Sequence, residues 1–423
     1  MDEQFSNHLN WFQKHIDSRR RMLPIFKGHA GNEARRARDD LFTFIEEHCS
    51  EIERDDKGIP TRFRVPVELN SRYRKIRSLY SDHSLFFRLL PKMTFVSLVS
   101  IYDAYLSRLL KLIFTIKPEI LNNSERQFSF KDINDFDSFE DMKTSIIEAE
   151  IDSFLRKSHS EQFKWLETKI GGNRGKLNLT KGLKNWGSFI ELTERRNLLV
   201  HNDGIVNKHY IKVCMEHGIP PEKSVGEQLD VDSDYYRDAC KCIYEVGIKL
   251  GHVLWRKLKP TEMSCKEADD NFINLIYNLL VSKDYDLAIK LCELAEFKIF
   301  QDTITDHQSL FYIKINHAIA FKGSGEQKKC EEVLDEIDFS PLSDILKMAN
   351  FVLRERYTEA AALMPKLAKS DDFQDAVYKA WPLFQWFIKT NDFNKAYEEI
   401  YGENFTISED TSDLKPEEES DEN

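Results

Sequence analysis

Apolar positions recur with helical spacing along most of the chain, and their rhythm changes twice. From Phe86 to Arg256 the pattern is helical throughout: apolar segments at 94–117 and 139–157, the run SEQFKWLETKI, then segments at 183–201 and 232–256. Before that, residues 1–82 mix helical patches such as LFTFIEEHCSEIE from Leu41 with the punctuating run GNEARRARDD and the extended-looking RFRVPVELNSRYRKIR. Beyond Lys257 the texture becomes short helix pairs, and from Ser408 the tail SEDTSDLKPEEESDEN is acidic and nearly free of apolar residues, so it is expected to be disordered. The pattern predicts an all-α fold in four parts: an N-terminal extension at 1–82, a helical bundle at 83–258, helical repeats at 266–405 and a tail at 406–423.

Within the repeats, three helix starts share one design: DYDLAIKLCELA at Asp284, RYTEAAALMPKL at Arg356 and DFNKAYEEI at Asp392. Each carries an aromatic residue and an alanine three apart, Tyr285/Ala288, Tyr357/Ala360 and Phe393/Ala396. The intervals leave room for a degenerate unit around GEQKKCEEVLDEI at Gly325. Small alanines where helices pack closely, at an interval near 34 residues, resemble tetratricopeptide repeats, which implies a helical solenoid and a protein-binding surface.

Composition narrows the class. No uncharged apolar run approaches the ~20 residues that span a bilayer, and the start MDEQFSNHLN is too polar for a secretory signal, so a cytoplasmic protein is expected. The seven cysteines form no CxxC pair and no zinc-ligand block, which predicts reduced thiols and no metal. Acid is concentrated late: residues 1–80 carry 16 Lys/Arg against 13 Asp/Glu, and residues 266–423 carry 17 against 33. A polyanion would be repelled by the last third. In the extension, Arg62, Arg64, Arg72, Arg74, Lys75 and Arg77 alternate with Phe63 and Tyr73. Cations beside flat rings suit an RNA strand; the plainer alternative is a solvated face. The loop GGNRGK at Gly171–Lys176 lacks the spacing of a phosphate loop, and no GxSxG, HExxH, dinucleotide or kinase signature is present. No cofactor is expected.

Two helices put polar residues where apolar ones are expected. Wound at about 100° per residue, segment 183–201 places Phe189, Ile190, Leu192, Thr193, Leu199 and Val200 on one broad arc around Trp186, with Arg196, Asn197 and His201 inside it. Arg195 falls on the opposite side with Glu191 and Glu194 and is expected in solvent. Asn202, Asp203 and Gly204 predict the helix stop, which sets His201 at the negative end of the helix dipole. In the earlier helix MTFVSLVSIYDAYLSRLLKLIF, Asp103 lies among Val96, Val99, Leu110 and Phe114. A carboxylate there needs a partner, and Arg196 is the candidate.

The run RNLLVH, Arg196–His201, resembles the R-x4-H signature of HEPN-domain ribonucleases, including the polar residue after the arginine, and Asp103 in SIYDAYLSRLL resembles that family's acidic residue in an earlier long helix. The resemblance covers roughly residues 85–256. It implies a metal-independent endoribonuclease working as a homodimer, in which two such helix ends share a cleft. His201 would transfer protons, Arg196 stabilise the charged phosphorane, Asn197 orient, and Asp103 hold Arg196; a bacterial antiphage or toxin-type role is the expected setting. Two other readings stay open. Asp103 and Arg196 could be a structural ion pair with His201 a helix cap, and the bundle could be a non-catalytic dimerisation or RNA-docking scaffold whose repeats recruit a protein.

Overall fold

The computed structural model describes residues 2–123, 136–171, 177–369 and 375–406. The GGNRGK loop beyond Gly171 and the acidic tail from Ser408 lie outside the described residues. The chain is predominantly helical and divides into two compact units, Met1–Pro260 and Thr261–Asn423.

Unit 1 is built on two antiparallel helices, α1 (Asp2–His48) and α2 (Asn70–Ile116), joined by a small hairpin of β1 (Ser50–Arg54) and β2 (Pro60–Arg64). In α1, Leu9, Ile16, Leu23, Ala30, Ala37 and Phe44 are all buried and recur every seventh residue, the seam of a helix lying along a partner. Its first turns add Phe5 and Phe12 at no exposure: Phe5 stacks on Trp255 at 5.5 Å and Phe12 on Tyr105 at 4.3 Å. The expected division at residue 82 is therefore corrected, because the start of α1 is core to the bundle itself. Residues 70–77, expected to be extended, are the first turns of α2; Pro66 ends the strand and the Arg/Lys-rich run that follows is a good helix former.

α2 is long and apolar enough by composition to cross a membrane, but between Phe95 and Phe114 most of its large apolar side chains, among them Phe95, Leu98, Val99, Leu106, Leu109 and Ile113, belong to the core of unit 1. Around it pack α3 (Phe139–Leu155), α4 (His159–Gly171), α5 (Trp186–His201), α6 (Lys208–Glu216) and α7 (Ser233–Leu258). α7 lies close against α1 and α2. A Cβ on its Gly251 would stand 2.1 Å from the Tyr105 hydroxyl, so only glycine fits that approach.

Unit 2 runs α8 (Glu262–Val281), α9 (Tyr285–Cys292), α10 (Lys298–Gln301), α11 (His307–Gly323), α12 (Gln327–Asp335), α13 (Asp344–Leu353), α14 (Tyr357–Leu367), α15 (Ala376–Ala380) and α16 (Asn391–Tyr401). One turn recurs three times. Lys283, Gly325 and Glu355 each sit at positive φ two residues before a helix, and the next amide donates five residues back, Asp284 to Leu279, Glu326 to Phe321 and Arg356 to Phe351, each at 2.8 Å. Ala288 and Ala360 are fully buried at the helix starts that follow two of these turns.

Two outcomes follow from this packing. Phe12→Ala should cost unit 1 about 3–5 kcal/mol by opening a cavity in its core, measured by denaturant unfolding; a change under about 1 kcal/mol would mean that α1 is an appendage. In unit 2, burial pushes the His317 imidazole down to about 4 from 6.5, with Glu293 and Glu336 pulling the other way. The folded state thus resists the proton that the unfolded chain accepts. Stability is full above about pH 6.5 and falls by up to about 3 kcal/mol as pH drops to about 4, a slope that His317→Leu should flatten in thermal melts.

Candidate active site at the end of helix α5

Helix α5 is covered on two sides. α2 lies along one, and along the other runs segment 202–232, which contains α6 and closes on itself through Val206 N to Glu227 O and Leu229 N to Gly204 O, both 2.9 Å. Leu198, Val206, Tyr210, Cys214 and Leu229 form the apolar cluster that seats this second layer.

The double cover corrects the expectation for Arg195. It is buried, at 3% exposure. Its Nε donates to Glu191 Oε1 at 2.8 Å, Nη1 to the Asp230 carbonyl at 2.9 Å and Nη2 to Glu222 Oε2 at 2.8 Å, and the guanidinium lies 3.9 Å over the Tyr235 ring. Glu191 also accepts from the hydroxyls of Tyr210 at 2.5 Å and Tyr235 at 2.7 Å. Burial first, and the Glu191 carboxylate second, push both phenols up, so they stay protonated and donate. A charge hidden this way is affordable because nearly every lone pair and proton around it is used.

Arg196 faces the opposite layer. Its Nη2 donates to Asp103 Oδ2 at 2.6 Å, and the two side chains are 21% and 28% exposed. Asp103 has a second partner that the sequence did not reveal: His159 Nε2 stands 3.2 Å from Oδ1, with the ring nine-tenths buried against Tyr102 and Phe189. His159 opens α4 just after Ser158, which forms a capping pair with Glu161: the Ser158 amide donates to the Glu161 carboxylate at 2.9 Å. The capping pair sets the helix start, but nothing in the sequence links its histidine to a residue 56 positions earlier. The Arg196 Nε is buried without a hydrogen-bond partner among the described residues.

Helix α5 ends at His201, and the Asn202 and Gly204 amides both return to the Leu198 carbonyl at 2.8 and 3.0 Å. Gly204 has φ +76°, and a Cβ there would press within 3.1 Å of the Leu229 carbonyl, so glycine is required by conformation and by space. His201 is exposed, Asn197 is half-buried and Val200, expected on the buried arc, is 48% exposed. Five residues of helix set Arg196 and His201 about 140° apart around the axis. The structure thus joins Asp103, Arg196 and His159, while His201 looks out to solvent.

The basic run is split. Arg62 and Arg64 stand on β2, paired with Glu53 at 3.7 Å and Glu51 at 2.8 Å, and Arg72 lies 5.5 Å over the Phe44 ring. Phe63 and Tyr73 pack edge to face on one another, so these rings are occupied. Arg74, Lys75 and Arg77 are exposed on α2. Among the described residues no group of three or more His, Cys, Asp or Glu is placed to hold a metal ion. No family model, no curated protein and no solved structure matches the chain.

The two neighbouring arginines should separate in experiment. Arg195→Ala strands Glu191 and two phenols in the interior and should cost about 3–5 kcal/mol. Arg196→Ala leaves Asp103 with His159 near the surface and should cost about 1 kcal/mol or less. Urea unfolding of both variants decides, and equal losses would contradict the two-layer account.

Proposed function

We propose that the chain is a metal-independent endoribonuclease that cuts RNA through the RNA's own 2′-hydroxyl. The observation that carries this reading is the arrangement on α5: a guanidinium anchored by Asp103 on one edge and, one turn on, an exposed imidazole at the helix end. RNA supplies the nucleophile, so the protein needs proton transfer and a cation for the phosphorane. His201 takes the 2′-hydroxyl proton as the 2′-oxygen bonds to phosphorus. The bond from phosphorus to the 5′-oxygen breaks, and that oxygen takes a proton from a second imidazole. The products are a 2′,3′-cyclic phosphate and a 5′-hydroxyl. Arg196 steadies the nonbridging oxygens, Asn197 orients the scissile group, and Asp103 with His159 holds the guanidinium.

In-line displacement sets base and acid on opposite sides of phosphorus; α5 itself carries one imidazole, His201, and the nearby exposed His209 of α6 is engaged with Glu194. A second copy facing this helix end, contributing the partner's His201, completes the pair, which is the homodimeric composite site that the R-x4-H resemblance implies. Arg74, Lys75 and Arg77 are exposed cations available to the RNA backbone. The setting proposed is cytoplasmic, in bacterial antiphage defence or a toxin-type system.

A second reading, a scaffold that recruits a protein, draws on unit 2. A cavity of about 650 Å³ there is lined by Cys292, Ile304, His307, Ile313, Lys314 and His317 among others, of a size that takes peptide side chains. TPR-like repeats would present such a surface.

Incubating the full chain with end-labelled RNA in excess chelator tests the choice. Cleavage to cyclic-phosphate ends is expected, reduced roughly a hundredfold or more by His201→Ala and by Arg196→Ala. Cleavage that persists in both variants, or that needs Mg²⁺, overturns the nuclease reading; no cleavage at all, with RNA or a protein still bound, favours the scaffold.

A further inference from the structure

Beyond the bundle, α1 and α2 continue as a two-helix arm, and one side of it is apolar and bare. α2 exposes Leu79, Phe86, Leu89 and Met93, spaced seven, three and four apart, at 50%, 49%, 39% and 56%, with Leu85 beside them at 46%. α1 exposes Met22, Ile25 and Phe26 at 36%, 61% and 53%. The helices are in register at this level, since Arg19 Nε donates to Ser97 Oγ at 3.1 Å and the Lys27 ammonium lies 5.9 Å over the Phe87 ring. For antiparallel helices wound at about 100° per residue, both exposed sets turn to the same side of the arm. The other side is already covered: Lys27 Nζ donates to Ser233 Oγ at 2.7 Å and Lys92 pairs with Asp230 at 3.6 Å.

This is a second heptad seam, distinct from the one that joins α1 to α2. The seam Leu9, Ile16, Leu23, Ala30, Ala37 and Phe44 is buried, whereas the stripe on Leu79, Phe86, Leu89 and Met93 repeats the a and d spacing with nothing in its holes. The eight side chains together expose the equivalent of about four whole ones, roughly 800 Å² of apolar surface, which exceeds what isolated monomers usually leave in water and equals one side of a standard protein interface.

We infer that this face packs against the same face of a second copy of the chain, the two arms forming a four-helix bundle about a twofold axis. Apart from exposed Asp82, which takes the position between Leu79 and Phe86, the stripe is apolar and complementary to itself, so an isologous contact satisfies both copies at once. Knobs-into-holes packing at an interhelical angle near 20° suits two such hairpins. The interface faces away from Asp230 and the segment that covers α5, so it is separate from the contact that the His201 helix end calls for. The inference concerns assembly and stands whether or not the chain cuts RNA.

Sedimentation or light scattering on the full chain at micromolar concentration tests it. The expected mass is at least twice the 49.7 kDa of one chain. The double variant Phe26→Glu/Phe86→Glu should halve the measured mass with an unchanged circular dichroism spectrum, while Met263→Glu, 74% exposed in unit 2, should leave the mass alone. Hydrogen exchange on the unaltered chain gives a second measure: amides at 22–26 and 85–93 should slow as concentration rises. A monomeric parent, a double variant of unchanged mass, or exchange at those amides that ignores concentration overturns the proposal. So does a monomer that binds vesicles of phosphatidylcholine and phosphatidylglycerol and loses them in the double variant, which would assign the stripe to lipid.

Discussion

Two arginines in succession point about 100° apart on a helix, so a helix that engages both against protein must be covered on two sides. That constraint organises unit 1. Arg195 is clamped by Glu191, Glu222, the Asp230 carbonyl and the Tyr235 ring, and every one of these partners outside α5 belongs to residues 222–235. The clamp fixes the rotation of α5, and fixed rotation is what turns Arg196 toward Asp103 on α2. Phe189, Ile190 and Leu192, all buried on the same helix, add to that hold. The buried network and the candidate site are two faces of one helix, and the first sets the second.

Much of this was legible in the sequence, and what was missed has a common cause. The pairing of Asp103 with Arg196 could be inferred because each broke the apolar face of its own helix, and a buried charge demands an opposite one. The stop at Asn202–Gly204 was visible because those residue types favour the left-handed turn that the chain takes there. Arg195 was misplaced because a one-sided helical wheel assumes one buried face, and helix α6 with its flanking loops supplied another. His159 was overlooked for a related reason: a polar residue at a helix start looks ordinary, and only the long-range approach of α4 to α2 gives it a carboxylate. The start of α1 is a different case. Its seven-residue repeat from Leu9 to Phe44 is plain once noticed, but charged and glycine-containing stretches between the apolar positions made the segment look like broken patches.

In unit 2 the recurring turn precedes two of the three helix starts that the sequence marked, while the third mark, Phe393/Ala396, follows a helix start capped by Thr390 without that turn. The turns at Lys283, Gly325 and Glu355 share positive φ and the same five-residue return bond, although only one of the three is glycine. Lysine and glutamate accept a conformation that costs of order 1 kcal/mol because the helices on either side leave the chain no other path. The backbone repeats where side-chain identity has drifted, which is why the aromatic and alanine marks were found at Tyr285 and Tyr357 while the unit at Gly325 seemed degenerate: α12 begins there with Gln327, and no aromatic marks it.

The proposed nuclease reading depends on which imidazole could move a proton to a substrate in solvent. His159 is nine-tenths buried and its Nε2 already faces Asp103; its geometry suits holding the carboxylate, since a donor committed to Asp103 cannot also serve a phosphate outside. His201 has the opposite character, exposed and without a hydrogen bond or ion pair among the described residues. It is also turned well away from Arg196 on the same helix. A single chain therefore separates the cation that would stabilise the phosphorane from the group that would shuttle its protons. Either the substrate spans the helix end, with the phosphate over Arg196 and the ribose over His201, or the two functions come from different copies. In-line geometry requires a second proton carrier in both cases; the other exposed imidazole beside α5, His209, is engaged with Glu194 at 3.5 Å. On the proposed reading, a second copy would meet that requirement with no new residue, as a symmetric pair of helix ends.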